Sequence, residues 1–390
     1  MAKHPEPAHA GPLSGVRVVE LAGIGPGPFC AMLLADMGAS VVRVDRVGPA
    51  SGDYTPNPVV ERGRRSVAVD LKAAEGVQIL LDLVRDADVL LESYRPGVAE
   101  RLGLGPQVCC GANPRLVYAR LSGFGQDGPW AQVAGHDINY IGLTGALWSI
   151  GRAGDRPVPP VNLVGDLGGA ASAMAFGIVC ALLQARSSGQ GQIVDANVLD
   201  ATTTIMGFVQ GLRAQGMWSL NRGANLLDTG CPYYDTYTCS DGQWVAIGTV
   251  EERFFHTALD VLGFAADDPL RRAHKDRSQW PALRDALTAA FATRTRDEWA
   301  AAFRQEDACV TPVLDLDEAT RHEQAMARHA YQPMPGFAVP QPAVSPRFSR
   351  SSTPIPPPPP RVGQHTDAVL SELGYAPEQV ASLRAAGVVA

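Results

Sequence analysis

The sequence predicts an α/β protein: a large, doubly wound, Rossmann-like domain joined to a smaller α+β domain. Three observations predict it. Up to Leu121, short runs rich in valine and leucine alternate with helical patterns, the mark of buried parallel strands joined by crossover helices. Between positions 233 and 248 two alternating runs flank Ser240, Asp241 and Gly242, a hairpin signal that belongs to antiparallel structure. From about Gln332 to Arg361 proline dominates, so the chain there is expected to cross a surface as a polyproline strap and not to pack as helix or sheet.

Taken in order, 16–21 reads as a strand, 23–28 as a glycine-proline turn, 29–37 as a helix and 40–45 as a second strand. The turn is not G-x-G-x-x-G, and its prolines lack the N–H donors a pyrophosphate cradle needs. A nucleotide can lie against such a turn, but a conventional NAD site is not expected. Next come a strand at 66–70, an amphipathic helix at 74–85 and a strand at 87–92 that runs into Ser93-Tyr94-Arg95-Pro96-Gly97. A helical turn at 98–102 and a strand at 116–121 follow. The small apolar residues after Asp166 read as a buried helix to about Gln184, with Cys180 in its core face, then a strand at 193–195 and a helix to about Met217. Residues 218–231 read as a connector, 233–239 and 244–248 as the hairpin strands, and 250–262 and 280–304 as helices, the second interrupted. Helices at 367–373 and 377–386 end the pattern, and no internal repeat is visible. The domain expectation is a first part of the large domain at 1–205, a linker at 206–232, a small domain at 233–318, a return linker at 319–361 and C-terminal helices at 362–390.

Hydrophobic content of 46% and charged content of 19% describe a folded globular chain. A net charge of −7 argues against a general nucleic-acid binder. Lysine occurs only at positions 3, 72 and 275, so an anionic ligand has to be met mainly by arginine. Seven scattered cysteines with no C-x-x-C pair suggest neither a disulfide framework nor a zinc site. The histidines lack metal-ligand spacing, and no metal is expected. Residues 1–13 lack the apolar core of a signal peptide, and no run is read as long enough to cross a bilayer, 170–183 being too short. The expectation is a cytoplasmic protein with no membrane partner.

Doubly wound sheets bind ligands beyond the C-terminal ends of their strands. Arg46, Arg62, Arg64, Arg65, Lys72, Arg95 and Arg101 follow those ends, and gathered there in an acidic protein they point to a phosphate-bearing ligand. The chemistry is expected between Ala134 and Ala170, where His136 and Asp166 each lie beside glycine. A carboxylate in a helix's first turn is favoured by the dipole, and the free N–H groups there suit a developing negative charge. An imidazole and a carboxylate facing one point make a two-base site. The plainer readings are an N-cap for Asp166 and a hydrogen-bonded structural histidine at His136, with Asp137 as its orienting partner.

Several motifs bear on the choice: LSGVRVVEL (13–21), GPGP (25–28), VVRVD (41–45), YRPG (94–97), ERLG (100–103), AGHDINY (134–140), NLVGD (162–166), GMW (216–218), RGAN (222–225) and YYDTY (233–237). With these the chain resembles the family III CoA-transferase (CaiB/BaiF-type) superfamily, and within it the α-methylacyl-CoA racemases, from Gly11 onward. The resemblance implies an interlocked homodimer, its linkers threading the partner, that binds an acyl-CoA thioester between one chain's large domain and the other's small domain. It places Ile24 and Pro26 near the adenine, Arg46, Lys72 and Arg101 near the phosphates, and Ser93 and Tyr94 along the CoA arm. No cofactor is implied, CoA being part of the substrate. His136 matches the base for the (S)-ester and Asp166 the base for the (R)-ester, with N–H groups at the Asp166 helix start holding the enolate oxygen. Glu251 matches the carboxylate that orients the histidine, and Asp137 is a weaker candidate for that role. Met206 and Met217 are candidates to line an apolar trough for the acyl group, although methionines at such spacing are more often plain core. The same fold supports a rival, a CoA-transferase with Asp166 as nucleophile. The tail at 363–370 with Glu372 to Tyr375 resembles transferase tails, whereas His136 argues against transfer. A third reading is a non-catalytic acyl-CoA-binding protein.

Overall fold

The computed structural model describes residues 11–48, 57–353 and 356–390. They form two compact units: one from the described residues within 11–144, 161–205 and 329–390, the other from Gly145–Pro160 and Met206–Arg328.

The first unit is built on six parallel strands, β1 (Arg17–Leu21), β2 (Ser40–Asp45), β3 (Arg64–Ala68), β4 (Val89–Glu92), β5 (Val117–Ser122) and β6 (Ile193–Asn197), ordered β3-β2-β1-β4-β5-β6. Val18 lies opposite both Val41 and Val89. All but β6 are buried along nearly their whole length, which is why they read as continuous apolar runs. From β1 the chain winds outward to β3, then crosses to β4 and winds the other way. The connections leaving β1 and β4 therefore diverge and open a crevice at those strands' C-terminal ends.

Alternate residues of each strand feed opposite cores. Val18, Val89, Leu91 and Val117 pack with Leu34, Met174 and Ile178 on one face. Val19, Leu21, Leu90 and Tyr118 pack with Ile79, Leu80, Val369 and Leu370 on the other. Each such buried aliphatic side chain contributes roughly 1.5–3 kcal/mol. The helices of the first face begin with α1 (Pro26–Asp36). It starts three residues before its expected start because proline is tolerated in a first turn, where its missing N–H would be unpaired anyway. On the second face α2 (Ala74–Arg85) keeps its expected bounds. The short α3 (Val98–Arg101) and α4 (Pro106–Ala112) follow, then α5 (Asp137–Gly142). The turn α6 (Ala146–Ser149) belongs to the second unit. A π-helix (Leu163–Ala171) then runs directly into α7 (Ser172–Ser188), and α8 (Val198–Ile205) follows β6.

Two expectations fail on this helical segment. Leu163–Ser188 spans 26 residues and contains an 18-residue window of mean hydropathy 1.7, 44% of it buried, so it is long and apolar enough to cross a membrane by length and composition. Gly165 to Gly169 have the composition of a helix start but lie inside the helical segment. Cys180 is exposed, on an outward face with Phe176, Val179 and Leu183. A wholly apolar stretch does not show which of its faces the sheet will cover.

Arg62, Arg64 and Arg65 do not await a phosphate. Arg62 pairs with Asp36 at 2.6 Å and Arg64 with Glu20 at 2.5 Å, both deep in the core, and Arg65 holds Glu372 at 2.6 Å. Arg64 also donates to the Pro28 carbonyl, tying β3 and β1 to the first turn of α1.

The Pro-rich segment returns to the first unit. The Pro357 carbonyl accepts from the Gly63 N–H at 2.8 Å and Pro342 accepts from Arg62 at 2.7 Å. It also holds a small antiparallel ladder, residues 331–332 against 341–342, so the expectation of no sheet there is corrected. Two helices, Thr366–Glu372 and Pro377–Ala385, pack on the second face of the sheet. The segments beside them stitch the edge at β3. His365 donates its N–H to Ser66 at 2.9 Å, the Ala68 N–H donates to Thr366 Oγ1 at 3.1 Å, and the Asp70 N–H donates to Val388 at 2.8 Å.

The second unit carries the expected hairpin, β7 (Tyr234–Thr238) and β8 (Trp244–Gly248), with β9 (Val310–Pro312) as an unanticipated third antiparallel strand. Its core gathers Tyr233, Phe255, Phe291, Trp299 and Phe303. Asp235 is buried between Arg152 and Arg284, the latter also holding the carbonyls of Thr229 and Gly230.

Candidate active site

His136 is the residue preceding α5. Its backbone N–H donates to Asn139 Oδ1 at 3.0 Å, its imidazole makes no capping bond, and the residue is exposed. The loop before it is clamped by Tyr140, whose hydroxyl donates to the Gly135 carbonyl. The Tyr140 ring lies where side chains at Gly123 and Gly135 would stand, a Cβ on Gly135 falling 2.7 Å from Cε1. Phe124 meets Tyr140 edge-on at 4.7 Å. The two glycines are thus required by close approach.

Asp166 sits in the first turn of the π-helix, 7% exposed. The N-cap is Asn162 and not Asp166, which corrects the plainer reading. Asn162 adopts the left-handed region at φ 60°, and its amide donates to Asp166 Oδ2 at 3.0 Å. The wide turn shows in Leu167, whose N–H donates to Asn162 five residues back at 3.2 Å. It also explains Gly168 and Gly169, since Cβ atoms there would fall 2.5 Å from the Leu163 carbonyl and 2.7 Å from that of Val164. Single π turns of this kind recur at functional sites. Beside the carboxylate lies the turn after β1, where a Cβ on Gly25 would be 3.5 Å from Asp166 Oδ2.

The carboxyl of Asp166 is pushed up to about 6 by burial first and the neighbouring Asp137 carboxylate second, against the Asn162 hydrogen bond and the charge of His136. His136 and Asp166 are therefore within electrostatic reach of one another. A carboxyl titrating there can both take and give a proton near neutrality.

Asp137 turns toward Asp166. Its carboxylate is 2% exposed and accepts the Asp166 N–H at 2.7 Å, and among the described residues it makes no bond to the His136 ring. That same bond occupies the Asp166 N–H, so it is not free to hold an enolate oxygen.

The remaining candidates divide by unit. Ile24 is exposed on the turn after β1, Pro26 opens α1, and Ser93 Oγ sits in the space left by Gly23 and Gly27. The Tyr94 N–H donates to Glu92 Oε2 at 2.7 Å, Glu92 in turn being held by Arg120 at 3.0 Å. Arg46 is close enough to lower the proton affinity of the Tyr94 phenol, which burial raises. These residues surround the crevice between β1 and β4. Lys72 follows β3, and Arg101 lies against its own Gly97 turn. Arg46, Lys72 and Arg101 are exposed and make no ion pair among the described residues. Glu251 belongs to the second unit, as the exposed residue preceding the helix Glu252–Val261. Met206 is buried and Met217 exposed, both in that unit. Asn162 and Tyr140 were not anticipated. Their signals were an amide four residues before the carboxylate and a tyrosine flanked by close-approach glycines.

A doubly wound sheet with a glycine-proline turn and a buried carboxylate at its switch point defines the class: residues 13–366 match CoA-transferase family III, and the chain belongs to that family. It is 43% identical to the alpha-methylacyl-CoA racemase of Mus musculus over 379 residues, covering 97% of each chain. It is 39% identical to the alpha-methylacyl-CoA racemase of Homo sapiens over 385 residues, again 97% of each. Among solved structures, a CaiB/BaiF family protein from Brucella suis superposes with a TM-score of 0.80 at 25% identity, covering 93% of this chain and 100% of that one.

Proposed function

We propose that the protein is a racemase of 2-methylacyl-CoA thioesters, interconverting the (R)- and (S)-esters by 1,1-proton transfer. The observation that carries the reading is the Asp166 carboxyl, buried with no arginine or lysine paired to it among the described residues, pushed up to about 6 and within electrostatic reach of His136. From the (R)-ester, ionised Asp166 removes the C2 proton and the electron pair moves into the thioester as an enolate. His136, protonated, then gives a proton to the opposite face of C2, and the (S)-ester uses the two groups in reverse. Because Asp137 occupies the Asp166 N–H, another donor in the site holds the enolate oxygen. The thioester supplies the electron sink, so the reaction calls for no cofactor beyond the CoA carried by the substrate.

The CoA arm lies in the β1–β4 crevice along Ser93 and Tyr94, with its adenine by Ile24 and Pro26 and its phosphates met by Arg46, Lys72 and Arg101. Glu251 orients His136, contributed by the second copy of an interlocked homodimer whose linkers are 206–232 and 319–361. The protein works in the cytoplasm.

Incubating the enzyme in D₂O with either enantiomer of a 2-methylacyl-CoA tests this: deuterium appears at C2 and the esters racemise. No incorporation by the wild type would remove the reading. His136→Ala and Asp166→Ala each abolish racemisation and leave CoA-ester binding measurable. A hydroxylamine-trappable acyl group on Asp166 would establish the transferase chemistry instead.

A further inference from the structure

We infer that Asp137 is a positioning residue for Asp166: the side chain next to His136 in sequence grips the backbone of the second proton-transfer group, so one short helix sets both. The inference rests on the reading of His136 and Asp166 as paired acid and base.

Asp137 opens α5 directly after His136, yet its Oδ1 reaches across 29 positions to the Asp166 N–H at 2.7 Å. The approach is built in from the other side as well. A Cβ on Gly165 would collide with Asp137 Oδ1 and fall 2.6 Å from Ile141 Cγ2, so only glycine lets the π-helix come this close to α5. Ile141 itself is fully buried, which leaves α5 no room to slide. His136 is fixed to the same helix by its N–H bond to Asn139. The distance between the two proton-transfer groups is then set by one charged hydrogen bond, of the stronger, charge-assisted kind.

The charge has a second effect. Leaving a carboxylate buried among apolar groups is costly, and an amide would satisfy the same N–H. What only the carboxylate does is disfavour the ionised form of Asp166. The groups facing Asp166 that bear on this are Asp137 and Tyr140 on α5, His136 before it, and the neutral Asn162 amide. Asp137 thus places Asp166 and holds its proton affinity near the working pH.

The test compares Asp137→Asn and Asp137→Ala with wild type, following deuterium entry at C2 from each enantiomer, the pH profile, and the Asp166 carboxyl titration by ¹³C NMR. In Asp137→Asn the acceptor remains and the charge is gone. The Asp166 titration, and with it the acid limb of the rate from the (R)-ester, moves to lower pH, while KM holds. In Asp137→Ala the grip is lost. Deuterium entry from the (R)-ester falls about 100-fold, the scale of a misplacement of about 1 Å, while entry from the (S)-ester through His136 falls far less. An unmoved Asp166 titration in Asp137→Asn, or equal losses from both enantiomers in Asp137→Ala, overturns the inference. Should the alanine variant not fold, the asparagine titration decides. Should wild type show no exchange, the racemase reading falls, and the NMR titration still judges the coupling of Asp137 to Asp166.

Discussion

Among the buried carboxylates of the first unit, Glu20, Asp36 and Glu92 each hold an arginine, whereas the Asp166 carboxylate accepts, among the described residues, only from the Asn162 amide. Burial therefore acts on Asp166 with little to oppose it. Its base form is lost as pH falls through about 6, so turnover of the (R)-ester should decline below that pH, as a pH–rate profile will show. Asn162→Ala removes the one hydrogen bond that favours the ionised form, which moves the same limb upward. It also places alanine at φ 60°, at a cost of roughly 1–2 kcal/mol. His136 and Asp166 were legible because each stands in a dense local motif. The partner of Asp137 was not, since nothing local tells a carboxylate which backbone N–H 29 positions away will meet it. Arg62 and Arg64 misled for the same reason: their acids, Asp36 and Glu20, lie 26 and 44 positions off.

The elements carry their own predictions. Arg64→Ala strips the partner from fully buried Glu20 and frees the Pro28 carbonyl, so unfolding in denaturant should show a loss of about 3–5 kcal/mol. In the π-helix, Gly168→Ala drives a Cβ toward the Leu163 carbonyl. The turn must tighten or shift, carrying Asp166 with it, and kcat should drop with CoA affinity little changed. Strand β2 and helix α2 were read to the residue because their periods run uninterrupted between turn signals. The π-helix was not legible: over nine residues a wide turn has no hydrophobic period of its own, and its glycines mimic a helix start.

The scale of the whole molecule is where the sequence said least. Phe176 and Leu183, 72% and 71% exposed on α7, give the first unit an uncovered apolar face. In the proposed homodimer the second copy covers it. Phe176→Asp with Leu183→Asp should then sediment as a monomer and lose activity. An unchanged dimer would place the interface elsewhere. The stitching of β3 has a consequence of another kind. The strand is laid down early in synthesis, but the residues that seal it, His365, Thr366 and Val388, emerge about three hundred positions later. A ribosome-bound nascent chain therefore displays a raw β edge through most of its translation. Arrested or prematurely terminated products should be the ones that chaperones capture and that aggregate.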